Sequence, residues 1–338
     1  MKREEYLSKL KLTLQGEEFV QVEEAITYFD ELLQDRMADE NLDEEAAVAT
    51  MDPPEKAAAS LREYSPPREQ AEQAGHAGEA GGEIPFTGVK TLRVKAEGVR
   101  VIRVRDRNMR VTLTGGGGSD IVIRHPESER VKYDFILEDG RLALIRQPWD
   151  LSLGLFQSLG LDREMREVSL AVPLELAAEL DLRTSNARMD VKGVNLWGQA
   201  LLGTSNASIT LTQVSAKRLE LTASNGNITL DGVKAAADVK AVTSNAKIRA
   251  NGVTAPQALT LKSSNASIHV EAVNSRDISL VTSNGAVKGT MPGSLREYSV
   301  QSATSNGKNS LPARMGGGDK QLTVRTSNGS IDLRFEKD

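Results

Sequence analysis

Cysteine is absent from this chain, which removes disulfides and thiolate metal sites and leaves the redox compartment open. Histidine is confined to His76, His125 and His269. Aromatic residues make up 4% of the sequence, too few for the stacking platforms that hold sugars or single-stranded nucleic acid. No apolar run approaches the roughly 20 residues of a membrane span. The N-terminus carries Glu4 and Glu5 and no apolar h-region, unlike a secretory signal. The expected location is therefore the cytoplasm. A net charge of −5 is modest but unevenly spread: residues 1–64 hold seven Lys/Arg against 17 Asp/Glu, and the remainder 35 against 30. An acidic head precedes a mildly basic body, and neither has the footprint of a direct nucleic-acid binder.

What the chain does have is a repeat. Ser-Asn recurs with its Asn at Asn186, Asn206, Asn225, Asn245, Asn265, Asn284, Asn306 and Asn328. With each Asn as position zero, −1 is Ser, +1 is Ala or Gly, and −2 is Thr, Ser or Ala in every copy. Aliphatic residues fill −6, −4, +3, +5 and +8: Leu219, Leu221, Ile228, Leu230 and Val233 in the third copy, Leu259, Leu261, Ile268, Val270 and Val273 in the fifth. A fixed period near 20 residues means stacked units rather than one globular core. Alternation on both sides of the Asn gives each unit two short strands. The change of parity between −4 and +3 puts a corner at Ser-Asn-Gly/Ala, where Asn and Gly tolerate left-handed backbone. Stacking brings the eight amides to about 4.8 Å from one another. Each amide donates and accepts, so the column satisfies itself. The expected fold is mainly β, a parallel β-solenoid (β-helix) with an internal Asn ladder over 180–335. A lone unit buries too little to offset its ordering, so the units must fold together.

Residues 1–64 read as a small all-α domain. Tyr6, Leu7, Leu10 and Leu14 share one helical face, and Phe19, Val22, Ile26, Phe29 and Leu33 share another. Asp52-Pro53-Pro54-Glu55 reads as a helix start, with Asp52 as N-cap and Pro53 in the first helical position. This stretch resembles the helical signalling domain known as HAAS in its opening Met1–Leu7, in Tyr28-Phe29-Asp30-Glu31 and in the turn Asp52–Lys56. Met51-Asp52-Pro53 stands where that family has Gly-Ser-Pro. The resemblance implies a protein-interaction module whose partner is a PadR-type regulator. It also implies a membrane span hereabouts. Residues 65–85, rich in Pro, Gly, Ala, Glu and Gln, read instead as a flexible linker.

From Phe86 the pattern is β. Tyr133 lies in a run, Val131–Leu137, that reads with Leu142–Ile145 as a hairpin turning at Glu138-Asp139-Gly140. Residues 147–167 read as irregular, and Pro173 stops the strand Val168–Val172. A β domain ending in Val168–Leu174 and passing into Thr-Ser-Asn-Gly/Ala repeats resembles the putative-adhesin family of β-strand-repeat domains of unknown function, over 86–338. The spacing stretches to 22 in the last two units and Asn309 replaces an aliphatic residue, so a loop or bulge is expected near 308–320. Ser330–Phe335 is expected to close the stack, with weak self-association through that end.

No catalytic, cofactor or metal residue emerges. The repeated serines have no base beside them, and His269 falls on an outward position. Gly115–Gly118 lacks the Gly-Lys-Ser/Thr ending of a phosphate loop, and a bulge or hairpin tip accounts for it. Asp39, Asn41 and Asp43 mimic the start of a calcium loop, but Glu44 and Thr50 stand where Gly and Glu are needed; helix capping by Asn41 or Asp43 accounts for them. The sequence thus reads as a non-enzymatic scaffold or binding protein with a signalling module. A surface adhesin is the alternative, and a carbohydrate-active β-helix a third that would need a carboxylate cluster on one face.

Overall fold

The computed structural model describes residues 1–14, 43–49, 51–63, 88–116, 118–128, 131–147 and 167–337, with the single positions 22, 26, 29, 30, 33 and 37. Phe19, Tyr28, Asp39, Asn41, Thr50 and the linker 65–85 lie outside the described residues, as does most of 147–167. The chain divides into a helical unit drawn mainly from Met1–Thr87 and a β unit of Gly88–Glu127, Lys132–Arg146 and Arg163–Asp338.

In the helical unit, helix Arg3–Leu14 buries Tyr6, Leu10 and Leu14. They pack with Phe29, Leu33, Ala47, Val48, Met51, Ala57 and Ala58, and with the half-buried Leu7, Val22 and Ile26. Asp43 caps helix Glu44–Ala49 by accepting the Ala46 N–H at 2.8 Å, which accounts for that acid without a cation. The next helix, Pro54–Glu63, starts one residue later than its sequence pattern suggests. The Pro53 carbonyl accepts the Ala57 N–H at 3.0 Å, so Pro54 takes the first helical position. Asp52 instead pairs with Lys56 at 2.9 Å and accepts the Tyr6 hydroxyl on its carbonyl at 2.8 Å.

The β unit is a parallel solenoid in which the middle rungs each have three faces. One long face carries the strands before Ser-Asn, such as Gln199–Thr204, Arg218–Ala223 and Asp238–Thr243, paired in parallel with their equivalents. A second carries the strands after it, such as Ile228–Asp231, Ile248–Asn251 and Ile268–Glu271. The third face is short, through pairs such as Ser215↔Lys234 and Lys234↔Thr254. Its inward residues are the +8 valines, Val214, Val233, Val253 and Val273, all buried. The corner before them sits at +7, where Gly193, Gln213, Gly232, Gly252 and Ala272 all have φ between 48° and 61°.

Chain order and stacking order differ at both ends. Val101–Arg105 and Arg110–Gly115 stack directly on the first Ser-Asn rung, pairing in parallel with Glu179–Arg183 and Met189–Leu196. Arg141–Arg146 and Glu167–Val172 lie beyond them. Gly115–Gly118 is therefore no hairpin tip: Glu167–Val172 separates Arg110–Gly115 from Asp120–Glu127. The predicted hairpin is present, with Glu138↔Arg141 flanking left-handed Asp139 and Gly140.

The C-terminal end corrects the sequence-based expectation. Lys320–Arg325 pairs with Asn274–Val281 on one side and Tyr298–Ala303 on the other. The last rung in sequence is thus inserted beneath the one before it: Tyr298–Ala303 lies beyond Lys320–Arg325 on one long face, while Ile331–Phe335 remains the last strand of the other. Asn309 bridges to Ile331, and the Ile331 N–H donates to the Lys308 carbonyl at 2.8 Å. The irregular stretch expected near 308–320 is the segment that covers this inserted rung.

Candidate functional site

The Ser-Asn corner is built by three stacked columns. At the backbone, each Ser carbonyl accepts both the Ser and the Asn N–H of the next rung; Ser224, for example, accepts from Ser244 at 3.1 Å and Asn245 at 2.8 Å. At the side chain, each Asn Nδ2 donates to the Oδ1 of its neighbour: Asn206 to Asn186, Asn225 to Asn206, Asn245 to Asn225, Asn265 to Asn245 and Asn284 to Asn265, at 2.6–2.9 Å. The column then follows stacking order, with Asn328 donating to Asn284 at 2.6 Å and Asn306 to Asn328 at 2.7 Å. Asn186 donates in turn to Asn108 at 2.9 Å, a ninth member.

The ladder is not internal. Seven of its eight Ser-Asn members are exposed and Asn206 is half-buried. Alternation carries −6, −4 and −2 inward, and the corner then turns the Asn out. The buried polar column is therefore the −2 residue. Thr243 and Ser263 are each 1% exposed. The Thr243 hydroxyl donates to the carbonyls of Ser224 and Gly226. Thr282, Thr304 and Thr326 each accept the +1 N–H of their own corner at 3.1–3.2 Å. The restriction of −2 to Thr, Ser or Ala was the sequence signal for this second column. Where Asn108 stands, Asp106 takes the −2 place and accepts the N–H groups of Asn108 and Met109 at 2.8 and 2.7 Å.

Asp106 anchors a buried polar group at this end. Its Oδ2 accepts the Tyr133 hydroxyl, and Arg146 Nη1 lies 3.5 Å from its Oδ1. Burial and the Asp106 charge push the Tyr133 hydroxyl far above its ordinary pKa. His125, 2% exposed, stands edge-on to the Tyr133 ring at 4.9 Å, and burial holds its pKa below the usual value. Nearby on the outer face, Asp181 receives Arg103 and Arg105 and faces Arg183 at 3.7 Å. Burial raises its pKa, but the hydrogen bond and charge of Arg105, then Arg183 and Arg103, outweigh it and hold the carboxyl below the ordinary range.

Outward charges elsewhere pair along the stacking axis, Arg218 with Asp238 at 2.8 Å and Lys240 with Glu220 at 2.6 Å. His269 does point outward and meets Glu271 at 3.0 Å. Among the described residues no group of three or more His, Asp or Glu could hold a metal ion. No described helix is long and apolar enough to cross a membrane. An open groove of about 550 Å³ lies where the short face stops, lined by Thr254, Pro256, Asn274, Arg276, Asp319 and Lys320 among others.

These features define a class: a β-solenoid repeat protein whose repeated polar side chains bond chiefly to their own copies. The chain belongs to the family described as Toastrack DUF4097, which matches residues 99–334. No curated protein matches it. Among solved structures, it is similar to a putative cell adhesion protein from Clostridium sporogenes (9% identity, TM-score 0.27, 74% of this chain and all of that one). It is also similar to putative adhesins from Parabacteroides merdae (13%, 0.34, 72% and 95%) and Bacteroides fragilis (11%, 0.26, 74% and 98%).

Proposed function

We propose that this protein is a non-catalytic repeat scaffold whose outward faces display contacts to a protein or envelope partner, with the helical unit as a separate recognition module. The observation that carries the scaffold role is where the repeated polar groups go. Asn and Thr of one rung are spent on the next rung, and outward charges pair along the axis, so the repetition builds stacking contacts rather than a convergent cleft. The recognition role rests on the acid excess of residues 1–64 and their resemblance to a signalling domain, which points to a PadR-type regulator as partner in the cytoplasm. Cell fractionation, with capture experiments on the full chain and on 86–338, tests both parts. Capture of such a regulator by the full chain alone, from the cytoplasmic fraction, supports the proposal. Recovery at the outer cell surface, with 86–338 retaining every partner, replaces it by adhesion.

A further inference from the structure

Four strand edges terminate the two long faces, and three are protected. Gly88–Lys95 exposes Lys90, Arg93 and Lys95, charges that discourage pairing. Ile331–Phe335 is covered from Lys308 to Leu311, the Ser310 N–H donating to the Ile331 carbonyl at 2.9 Å. Tyr298–Ala303 is closed by the short antiparallel strand Arg314–Met315. The fourth edge, Tyr133–Glu138, pairs among the described residues only with Arg141–Arg146. It exposes three consecutive large apolar side chains, Phe135 at 39%, Ile136 at 38% and Leu137 at 47%.

We propose that this edge is a dimer interface, occupied by the same strand of a second copy running antiparallel about a two-fold axis at Phe135. Backbone parity selects that register. In a two-residue hairpin the residues flanking the turn are a hydrogen-bonded pair, and such pairs recur every second residue. Glu138, Ile136 and Asp134 therefore bond to the partner strand of the hairpin, and Leu137, Phe135 and Tyr133 turn their backbone groups to the open side. Centring on Phe135 sets Phe135 against itself and Tyr133 against Leu137, all three pairs being of the hydrogen-bonded kind. It also sets Lys132 against Glu138 at both ends. Centring on Ile136 fails twice, since its backbone groups are already used and Asp134 would oppose Glu138. Tyr133, Phe135 and Leu137 lie opposite Arg146, Leu144 and Leu142 in the hairpin, and Leu142 and Leu144 are buried, so the joined sheets share one apolar side. Isologous pairing of this kind closes on itself and forms no fibre.

Sedimentation of the full chain over on the order of 1–100 µM reads the outcome. A dimer is expected. Lys132→Glu and Glu138→Lys should each weaken it by on the order of tenfold by opposing like charges, and the double exchange should restore it. Both positions are exposed, and unchanged melting of each variant separates a lost contact from a lost fold. A monomer throughout the range overturns the proposal. So does a dimer indifferent to either exchange, or a double variant no tighter than the single ones.

Discussion

At the residue scale, the chain distinguishes side chains that stack from side chains that only decorate. Replacing Asn245 by Ala removes one amide bond given to Asn225 and one taken from Asn265. Because the column is exposed, the expected loss is about 1–2 kcal/mol, against under about 0.5 kcal/mol for Asn274→Ala on the short face. Equal urea midpoints for the two would remove the ladder from the stability account. Two glycine exchanges should act with opposite signs. A Cβ at Gly285 would stand 2.0 Å from the Ala266 backbone oxygen, so Gly285→Ala should cost roughly 2–3 kcal/mol through a forced shift of the rung. Ala272 holds φ at 48° in a corner where three sister copies use Gly. Ala272→Gly should therefore raise stability by about 0.5–1 kcal/mol; a lower melting temperature for this variant would contradict the strain assigned to that corner.

At the element scale, two titratable groups near the first stacked rungs, His125 and Asp181, have shifted pKa values. Burial keeps His125 below its ordinary pKa, so the unfolded chain takes up the proton first. Stability from this group is complete above the unfolded value of about 6.5 and falls as the pH drops through it. Chemical denaturation at pH 7.5 and 5.5 should show the loss, and His125→Phe should flatten it. Asp181 also has a lowered pKa, so its contribution is lost only below the ordinary carboxylate value of about 3.9. A profile unchanged by His125→Phe between pH 7.5 and 5.5 would place the titrating group elsewhere.

Whole-molecule behaviour follows from two units with different periodicities. The helical unit closes its own core around Tyr6, Leu10, Phe29 and Leu33, and the β unit closes its own by stacking. A fragment of 86–338 should therefore unfold with the midpoint and cooperativity of the β unit in the full chain. A midpoint lowered by several degrees would mean that the head stabilises the stack.

Much of this was readable in order along the chain. The period, the inward aliphatic columns and the Ser-Asn corner follow from alternation, because a strand's side-chain period of two is a local property. The third face was foreshadowed by the +8 valines but hidden at +7, where Gln213 and Ala272 replace Gly. Which side of the corner is buried was not readable, since −2 and zero both carry polar residues. Their exposure depends on the sense of the turn, and that brings the Thr243 hydroxyl to the Gly226 carbonyl while leaving Asn245 to solvent.

By itself, then, the sequence determined a stacked parallel β array with a self-satisfying Asn column, because repetition at fixed spacing forces like onto like. Only the tertiary structure decided the order of the rungs at the ends. Insertion of Lys320–Arg325 next to Asn274–Val281, and recruitment of Asn108 as the first amide, are pairings between segments remote in sequence. Hydrogen bonding between strands is indifferent to chain order, so the choice rests on which edge each returning segment can cover. The same physics leaves Tyr133–Glu138 as the edge that no described segment covers.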